Sequence, residues 1–335
     1  MSFAERQGAI VRLEQGFGAP ILTYITGDTL NSVGTKIGQD ALRLFYRHLA
    51  NLGHVDRLGL LLYTRGGDTL ATWRIVTLLR EFCKELHVLI PYRCHSAGTL
   101  IALGADQIWM GPMGELSPVD PSVTNEFNPA DAASQAKVPI SVEDVTAFFK
   151  LLQAQMLGEE TDVWETPWDL SEDTLLQAFR VLAEHVHPLA LGNIQRSHSQ
   201  IRQLTHKLLG LHMENQATVD SIVNTLTEKL FTHGHLIGRV EGKEIKLPIS
   251  DPSKAVEALM WRVFELYETQ MRIGMIVDPV PVPPGQPYVD WDLELAAIET
   301  SHTSDVFRIR HRFLPTVEGQ PTQVILLDQR WHKVA

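Results

Sequence analysis

Two short segments of this 335-residue chain carry residue types suited to acyl-transfer chemistry. The first is Gly66-Gly67, which follows the apolar run 58–64 (LGLLLYT). The second is His95-Ser96-Ala97-Gly98, which follows the strand-like run 87–91 and opens a short stretch of small residues. A serine hydroxyl becomes a nucleophile once a base takes its proton. Backbone N–H groups aimed at a developing oxyanion stabilise the tetrahedral intermediate, and adjacent glycines leave such groups uncovered. Ser96 at a helix start also lies at the positive end of the peptide dipoles. Ser96 is therefore the candidate nucleophile. The Gly67 and Ala97 amides are the candidate oxyanion donors, and Gly66 is a point of close substrate approach. A plainer reading stands beside this one: serine commonly caps a helix, and Gly-Gly commonly makes a turn. A Gly-x-Ser-x-Gly elbow is excluded, because Cys94 stands where its first glycine would be.

Such segments need a scaffold that brings strand ends together. Residues 20–26 (PILTYIT) read as a strand, and 40–52 place Leu42, Leu44, Phe45, Leu49 and Leu52 on a helical stripe. The continuous apolar run 58–64 suits a strand buried on both faces. The spacing of Leu70, Trp73, Val76, Leu79, Phe82 and Leu86 predicts a helix over 69–86. A strand over 87–91, a short helix over 96–104 and a strand over 107–110 follow. This order predicts an α/β fold with βαβ units and a parallel sheet, whose ligands bind at the carboxyl ends of strands. Residues 115–139 read as loop and 141–230 as helical, with acidic helix starts at Ser141 and Ser171. A last helix covers 251–271. The expected organisation is a core over 1–277 with helical additions at 141–275, a Pro-rich connector at 278–287 (DPVPVPPGQP), and a small C-terminal β extension at 288–335. Within that extension, 305–313 and 323–330 alternate like strands.

With 44% hydrophobic and 21% charged residues, the composition is that of a globular chain and excludes a disordered or fibrous one. A net charge of −11 argues against nucleic-acid partners. Cys83 and Cys94 are the only cysteines, so no disulfide framework forms and a reducing cytoplasm is the expected location. The first fifteen residues mix acids and bases without an apolar core, so no signal peptide is expected. Apolar runs fall well short of the roughly 20 residues of a membrane span. No Gly-x-Gly-x-x-Gly loop follows any strand, and no cofactor is expected. The pairs His185/His187 and His233/His235 lack ligand partners at metal spacing, so no metal site is expected.

Residues 60–80 (LLLYTRGGDTLATWRIVTLLR) and 87–123 (HVLIPYRCHSAGTLIALGADQIWMGPMGELSPVDPSV) resemble the serine dehydrogenase proteinase family. That family belongs to the Clp protease and crotonase superfamily and is akin to signal peptide peptidase A. The resemblance rests on Gly66-Gly67, on Ser96-Ala97-Gly98-Thr99 with 100–106, and on Pro118-Val119-Asp120-Pro121. It continues more weakly to Thr232-His233 before Ile237, and spans 15–275 in all. It implies a Clp/crotonase-like core and ATP-independent serine peptidase activity through an acyl-enzyme on Ser96. It further implies a peptide or protein substrate and assembly into homo-oligomers. Two positions depart from the family pattern. Ala97 replaces a common glycine but keeps its N–H. Arg65 replaces a common proline and sets a positive charge beside the oxyanion site, where it is a candidate for substrate binding.

The base is the open question. Clp-type proteases carry a histidine about two dozen residues after the serine, and residues 116–120 contain none; Asp120 is the titratable residue there. Relatives of signal peptide peptidase A use a Ser–Lys dyad, and Lys137, ahead of the helix start at Ser141, fits that position. His233 is a third candidate from the late segment. The absent histidine also motivates an alternative: a catalytically inactive Clp-like oligomeric scaffold or peptide-binding protein.

Overall fold

The computed structural model describes residues 3–31, 34–119, 122–123, 126–131, 134–138, 140–141, 144–145, 147–148, 151, 172–229, 234–315 and 323–335. The chain divides into two compact units. The first comprises Met1–Ser117, Leu208–Ile222 and Leu236–Ala335. It is built on one eight-stranded sheet. Strands β1 (Ile21–Thr26), β2 (Val55–Tyr63), β3 (Cys83–Ile90) and β5 (Gln107–Met110) lie parallel and in that order. The expected parallel α/β sheet is thus present. Every residue of β1 and the last six of β2 are buried, because helices cover both faces. On one face Phe45, from helix α2 (Leu42–Leu52), meets Tyr24 edge to face at 5.1 Å between ring centroids. On the other, Ile21 and Ile25 pack with Ile10 and Leu13 of helix α1 (Phe3–Phe17) and with Phe264 of a late helix, Lys254–Met271. Burying each such side chain contributes about 1.5–3 kcal/mol.

Helix α3 (Thr69–Phe82) starts at Asp68, whose carboxylate accepts the Leu70 and Ala71 amides at 2.8 and 3.2 Å. It is shorter than the apolar spacing predicts. Cys83 is already extended, and Leu86 lies in β3 opposite Leu58. The buried face is also turned: Ala71, Ile75, Val76 and Leu79 face inward while Leu70 is exposed. A two-residue strand β4 (Arg93–Cys94) leads to helix α4 (Ala97–Leu103), and β4 pairs with β6 (Glu115–Leu116). A short strand β9 (Ile249–Ser250) closes the parallel edge beside β5.

The C-terminal segment holds three strands: β10 (Val289–Glu299), β11 (Ser304–Phe313) and β12 (Val324–Lys333). The alternation at 305–313 and 323–330 anticipates the last two. Strand β10 escapes that pattern because a bulge between Glu294 and Ala296 interrupts its period of two. It runs antiparallel to β1, Thr23 opposite Glu299, so this segment continues the central sheet. Glu299 is fully buried at that seam. Its carboxylate accepts Arg6 Nε at 2.9 Å, Arg6 Nη2 at 2.6 Å, the Tyr267 hydroxyl at 2.6 Å and the Ser304 hydroxyl at 2.6 Å. Burial works against the Arg6 charge, but the hydrogen bonds and charge of Glu299 more than reverse this and raise its pKa.

The second unit comprises Pro118–Lys207 and Val223–His235. It contains helix α5 (Glu172–His185), most of helix α6 (Pro188–Leu209) and the antiparallel pair β7 (Ser122–Val123) with β8 (Ile140–Ser141). Within it Arg202 donates to Asn224 and Thr227 at 2.8 and 3.2 Å. Among the described residues no helix is long and apolar enough to cross a membrane.

Candidate active site

The chain leaves β2 at its carboxyl end and is held there by Thr64. The Thr64 amide donates to the Arg93 carbonyl at 2.9 Å, and the Thr64 carbonyl accepts the His95 amide at 3.0 Å. Its hydroxyl accepts the Gly66 amide at 3.1 Å. Gly66 and Gly67 follow with φ of 111° and 152°, a region side chains avoid. Space demands glycine as well. A Cβ on Gly66 would lie 3.0 Å from Ser96 Cβ and 3.4 Å from Ser96 Oγ, and one on Gly67 would enter the Ile37 backbone.

Ile37 also orients Gly67. The Ile37 amide donates to the Gly66 carbonyl and its carbonyl accepts the Asp68 amide, both at 2.9 Å, in a parallel bridge. In such a bridge the opposed residue turns its own N–H and C=O to the other edge. The Gly67 amide therefore points away from Ile37 and makes no hydrogen bond among the described residues.

Ser96 stands between β4 and α4 with φ 51° and ψ −112°, a strained conformation for a residue with a side chain. It occupies the cap position of α4, yet its side chain makes no capping hydrogen bond. The helix-cap reading of this serine is thereby set aside. Among the described residues Ser96 Oγ has no hydrogen-bond partner at all, and the same holds for the Ala97 amide, although Ala97 is fully buried. Because α4 has only seven residues, local amide orientation matters here more than a helix dipole. The strained turn is clamped from behind. The Ser96 amide donates to Ser117 Oγ at 2.8 Å, the Ser117 amide to Thr99 Oγ1 at 3.1 Å, and Thr99 Oγ1 to the Ser117 carbonyl at 3.0 Å. Cys94, two residues before Ser96, is buried; burial pushes its thiol pKa up and keeps it from competing as a nucleophile.

A chain of charges borders this turn. Asp28 accepts Tyr63 Oη at 2.6 Å and Arg65 Nη1 at 3.1 Å, with Arg93 Nη1 at 3.7 Å. Glu115 takes Arg93 Nε at 3.2 Å and His95 Nε2 at 3.1 Å. Burial holds the His95 pKa below the ordinary histidine value; the Glu115 charge opposes the shift, and Arg93 and Arg65 reinforce it. His95 is thus neutral at pH 7, donating from Nε2 to Glu115. Arg65, a candidate substrate contact, is paired with Asp28 but its side chain is exposed.

Lys137 belongs to the second unit and is exposed; its Nζ donates to the Asn128 carbonyl at 2.8 Å in a loop closed by the Ala130–Lys137 bridge. Asp120 and His233 lie outside the described residues. Of the paired histidines, His187 accepts the Leu189 amide at 3.2 Å and stacks on Phe127. Residue type and spacing do not single out Ser117, Asp28 or Glu115. Their one sequence signal is the polar Glu115 and Ser117 flanking Leu116 just before the Pro118–Pro121 motif.

Comparison with known proteins places this geometry in context. The model of the ClpP-like SDH-type serine proteinase family matches residues 40–153, a span holding Gly66, Gly67, Ser96 and Lys137. Two uncharacterized proteins of Methanocaldococcus jannaschii are similar. One is 27% identical over 68% of this chain and 64% of its own length; the other is 39% identical over 20% of this chain and 23% of its own. The chain thus spans less than two thirds of the length of either relative. A solved structure, a mutant of the membrane-bound stomatin-specific protease 1510-N, is 23% identical over 37% of this chain and 61% of its own, with a TM-score of 0.26. Over this matched segment, about a third of its length, the chain is similar to ClpP-like SDH-type serine proteinases.

Proposed function

We propose that this protein hydrolyses peptide bonds through an acyl-enzyme on Ser96. The observation that carries the reading is the state of that serine. It is a strained cap residue whose hydroxyl does not cap, next to two glycines that a side chain could not replace. Ser96 Oγ attacks the scissile carbonyl as its proton passes to a base. The Gly67 and Ala97 amides, which have no other acceptor, hold the oxyanion. The intermediate collapses by expelling the amine, which takes the proton, and water then releases the acyl group by the reverse transfers. Lys137 is the candidate base, a role that requires its neutral amine. Asp120 and His233 are the alternatives. The outward edge of Gly67 suits pairing with an extended peptide, and exposed Arg65 suits an acidic substrate residue. No cofactor enters the scheme. Cytoplasmic location and assembly into homo-oligomers complete the proposal.

A second reading, a catalytically inactive scaffold or peptide-binding protein, draws on one observation: no base holds Ser96 Oγ among the described residues. A fluorophosphonate probe decides between the two. Labelling of the wild type and not of Ser96→Ala is the expected outcome; a folded wild type that stays unlabelled refutes the peptidase. Lys137→Ala, Asp120→Asn and His233→Ala, compared for labelling rate against pH, identify the base.

A further inference from the structure

Strand β12 is the outer edge of the central sheet: it pairs with β11 on one side, and its other edge has no partner among the described residues. Such an edge presents a row of free N–H and C=O groups. Its amino-terminal half is apolar and open on both faces. Val324, Ile325, Leu326 and Leu327 are 44%, 46%, 52% and 42% exposed, four consecutive apolar residues in water. Its other half carries Asp328, Arg330, Trp331, His332 and Lys333. The exposed apolar half of such an edge is a template for pairing with another strand.

We propose that the occupant is a second copy of this chain, with the two β12 edges paired antiparallel about Gln329. Two observations favour this partner. The first is charge. In a two-fold pair of identical strands, residues opposite one another come from the same sheet face and are equidistant from the centre. Centring the pair on Asp328 or on Arg330 sets like charges against each other, which destabilises a strand pair. Centring it on Gln329 sets Asp328 of each copy opposite Arg330 of the other. Arg330 is exposed and holds Asp328 of its own chain at 3.2 Å, so the two pairs would join into one four-charge group.

The second observation is apolar fit. The same register carries the 324–327 run of one copy alongside the Trp331 end of the other. There Trp331 lines an open groove of about 610 Å³ whose apolar wall is Leu42, Leu44, Tyr46 and Leu78, with Asp40, Arg43, Arg47 and Arg74 around it. Trp331 is anchored in it by its Nε1, which donates to Asp40 at 2.6 Å. Leu326 and Val324, which pair with His311 and Phe313 of β11 and so share the face of Trp331, thus lie toward the groove of the mate, twice in one isologous contact. The bulge at Leu327, between the pairs Asp328–Arg310 and Leu326–His311, bends the apolar end out of the regular ladder.

Sedimentation equilibrium of the full chain tests this independently of catalysis. The wild type is expected to dimerise, and Asp328→Arg or Arg330→Asp alone to weaken the dimer at least about tenfold. The double exchange Asp328→Arg with Arg330→Asp restores a 328–330 pair, though it gives up the Asp328 contacts to His332 and Arg310, so its circular dichroism spectrum checks that it folds. It is expected to dimerise again with itself but not to mix with the wild type. Leu326→Lys should weaken the dimer as well. A wild type that is monomeric throughout a dilution series, as it would be if the edge served a substrate or an unlike protein, overturns the proposal. So does a dimer unmoved by the single exchanges, or a double exchange that stays monomeric.

Discussion

Replacing Gly67 by alanine tests the proposed oxyanion site most directly. The added Cβ would lie 2.5 Å from Ile37 N and 2.8 Å from Ile37 Cα. These are backbone atoms, so no side chain can swing aside, and the Ile37 bridge must part or Gly67 must move. Parting it loses two backbone hydrogen bonds, each worth about 0.5–1.5 kcal/mol net. A side chain at φ 152° adds about 1–3 kcal/mol of strain. The total, roughly 2–6 kcal/mol, lies below or near the low end of a typical domain stability of about 5–15 kcal/mol, so a weakened but folded protein is expected. Displacing one oxyanion donor should then lower kcat by about 100- to 1,000-fold with little change in KM. Gly53→Ala is the control: φ there is 76°, with nothing within 4 Å of the new Cβ. It should cost about 1–3 kcal/mol through strain and leave kcat unchanged. Urea denaturation and peptide hydrolysis on both variants are the measurements. If folded Gly67→Ala keeps kcat within about twofold of wild type, the Gly67 amide is not the donor.

Two predictions concern stability. Glu299→Gln leaves Arg6 buried without its carboxylate and turns an NH2 toward two donors. Urea denaturation should show a loss of about 3–5 kcal/mol, and a loss below about 1 kcal/mol would contradict the network's role. His87, His95 and His212 all have pKa values lowered, each by burial first. The folded state therefore binds fewer protons than the unfolded chain in the window below the ordinary value of about 6.5. Their contribution is complete above that value and is lost as pH falls through the lowered folded values. The melting temperature should drop on acidification from pH 7.5 to 5. It should drop less steeply in His87→Phe, since His87 Nδ1 is buried with no partner to lose. Identical slopes for the two proteins would remove His87 from the account.

The core strands are legible in the sequence because they are buried on both faces and read as unbroken apolar runs, as in 58–64. The end of α3 is not. Apolar spacing continues through Cys83 to Leu86, and only pairing of Leu86 with Leu58 makes that stretch a strand. Helix α1 carries a weak apolar stripe, and its buried Arg6 reads as a surface residue until Glu299, 293 positions away, comes to meet it. At the site, Ser96 and the glycine pair are visible as residue types in a telling order. The Ser117 clamp and the His95–Glu115 contact are not, since they arise from the β4–β6 pairing of segments about twenty residues apart.

By itself the sequence determines the order of strands and helices, the parallel character of the core, the family motifs and the nucleophile candidate. Each is a local matter of side-chain period, chain direction or residue type. Tertiary structure alone decides which way the Gly67 amide points, because Ile37, thirty residues earlier, takes the opposite edge. It decides that Ser96 is strained and uncapped, because Thr64 holds the His95 amide and Ser117 holds the Ser96 amide from two other segments. It also joins the C-terminal strands to β1, because Glu299 and Arg6 can be buried only together.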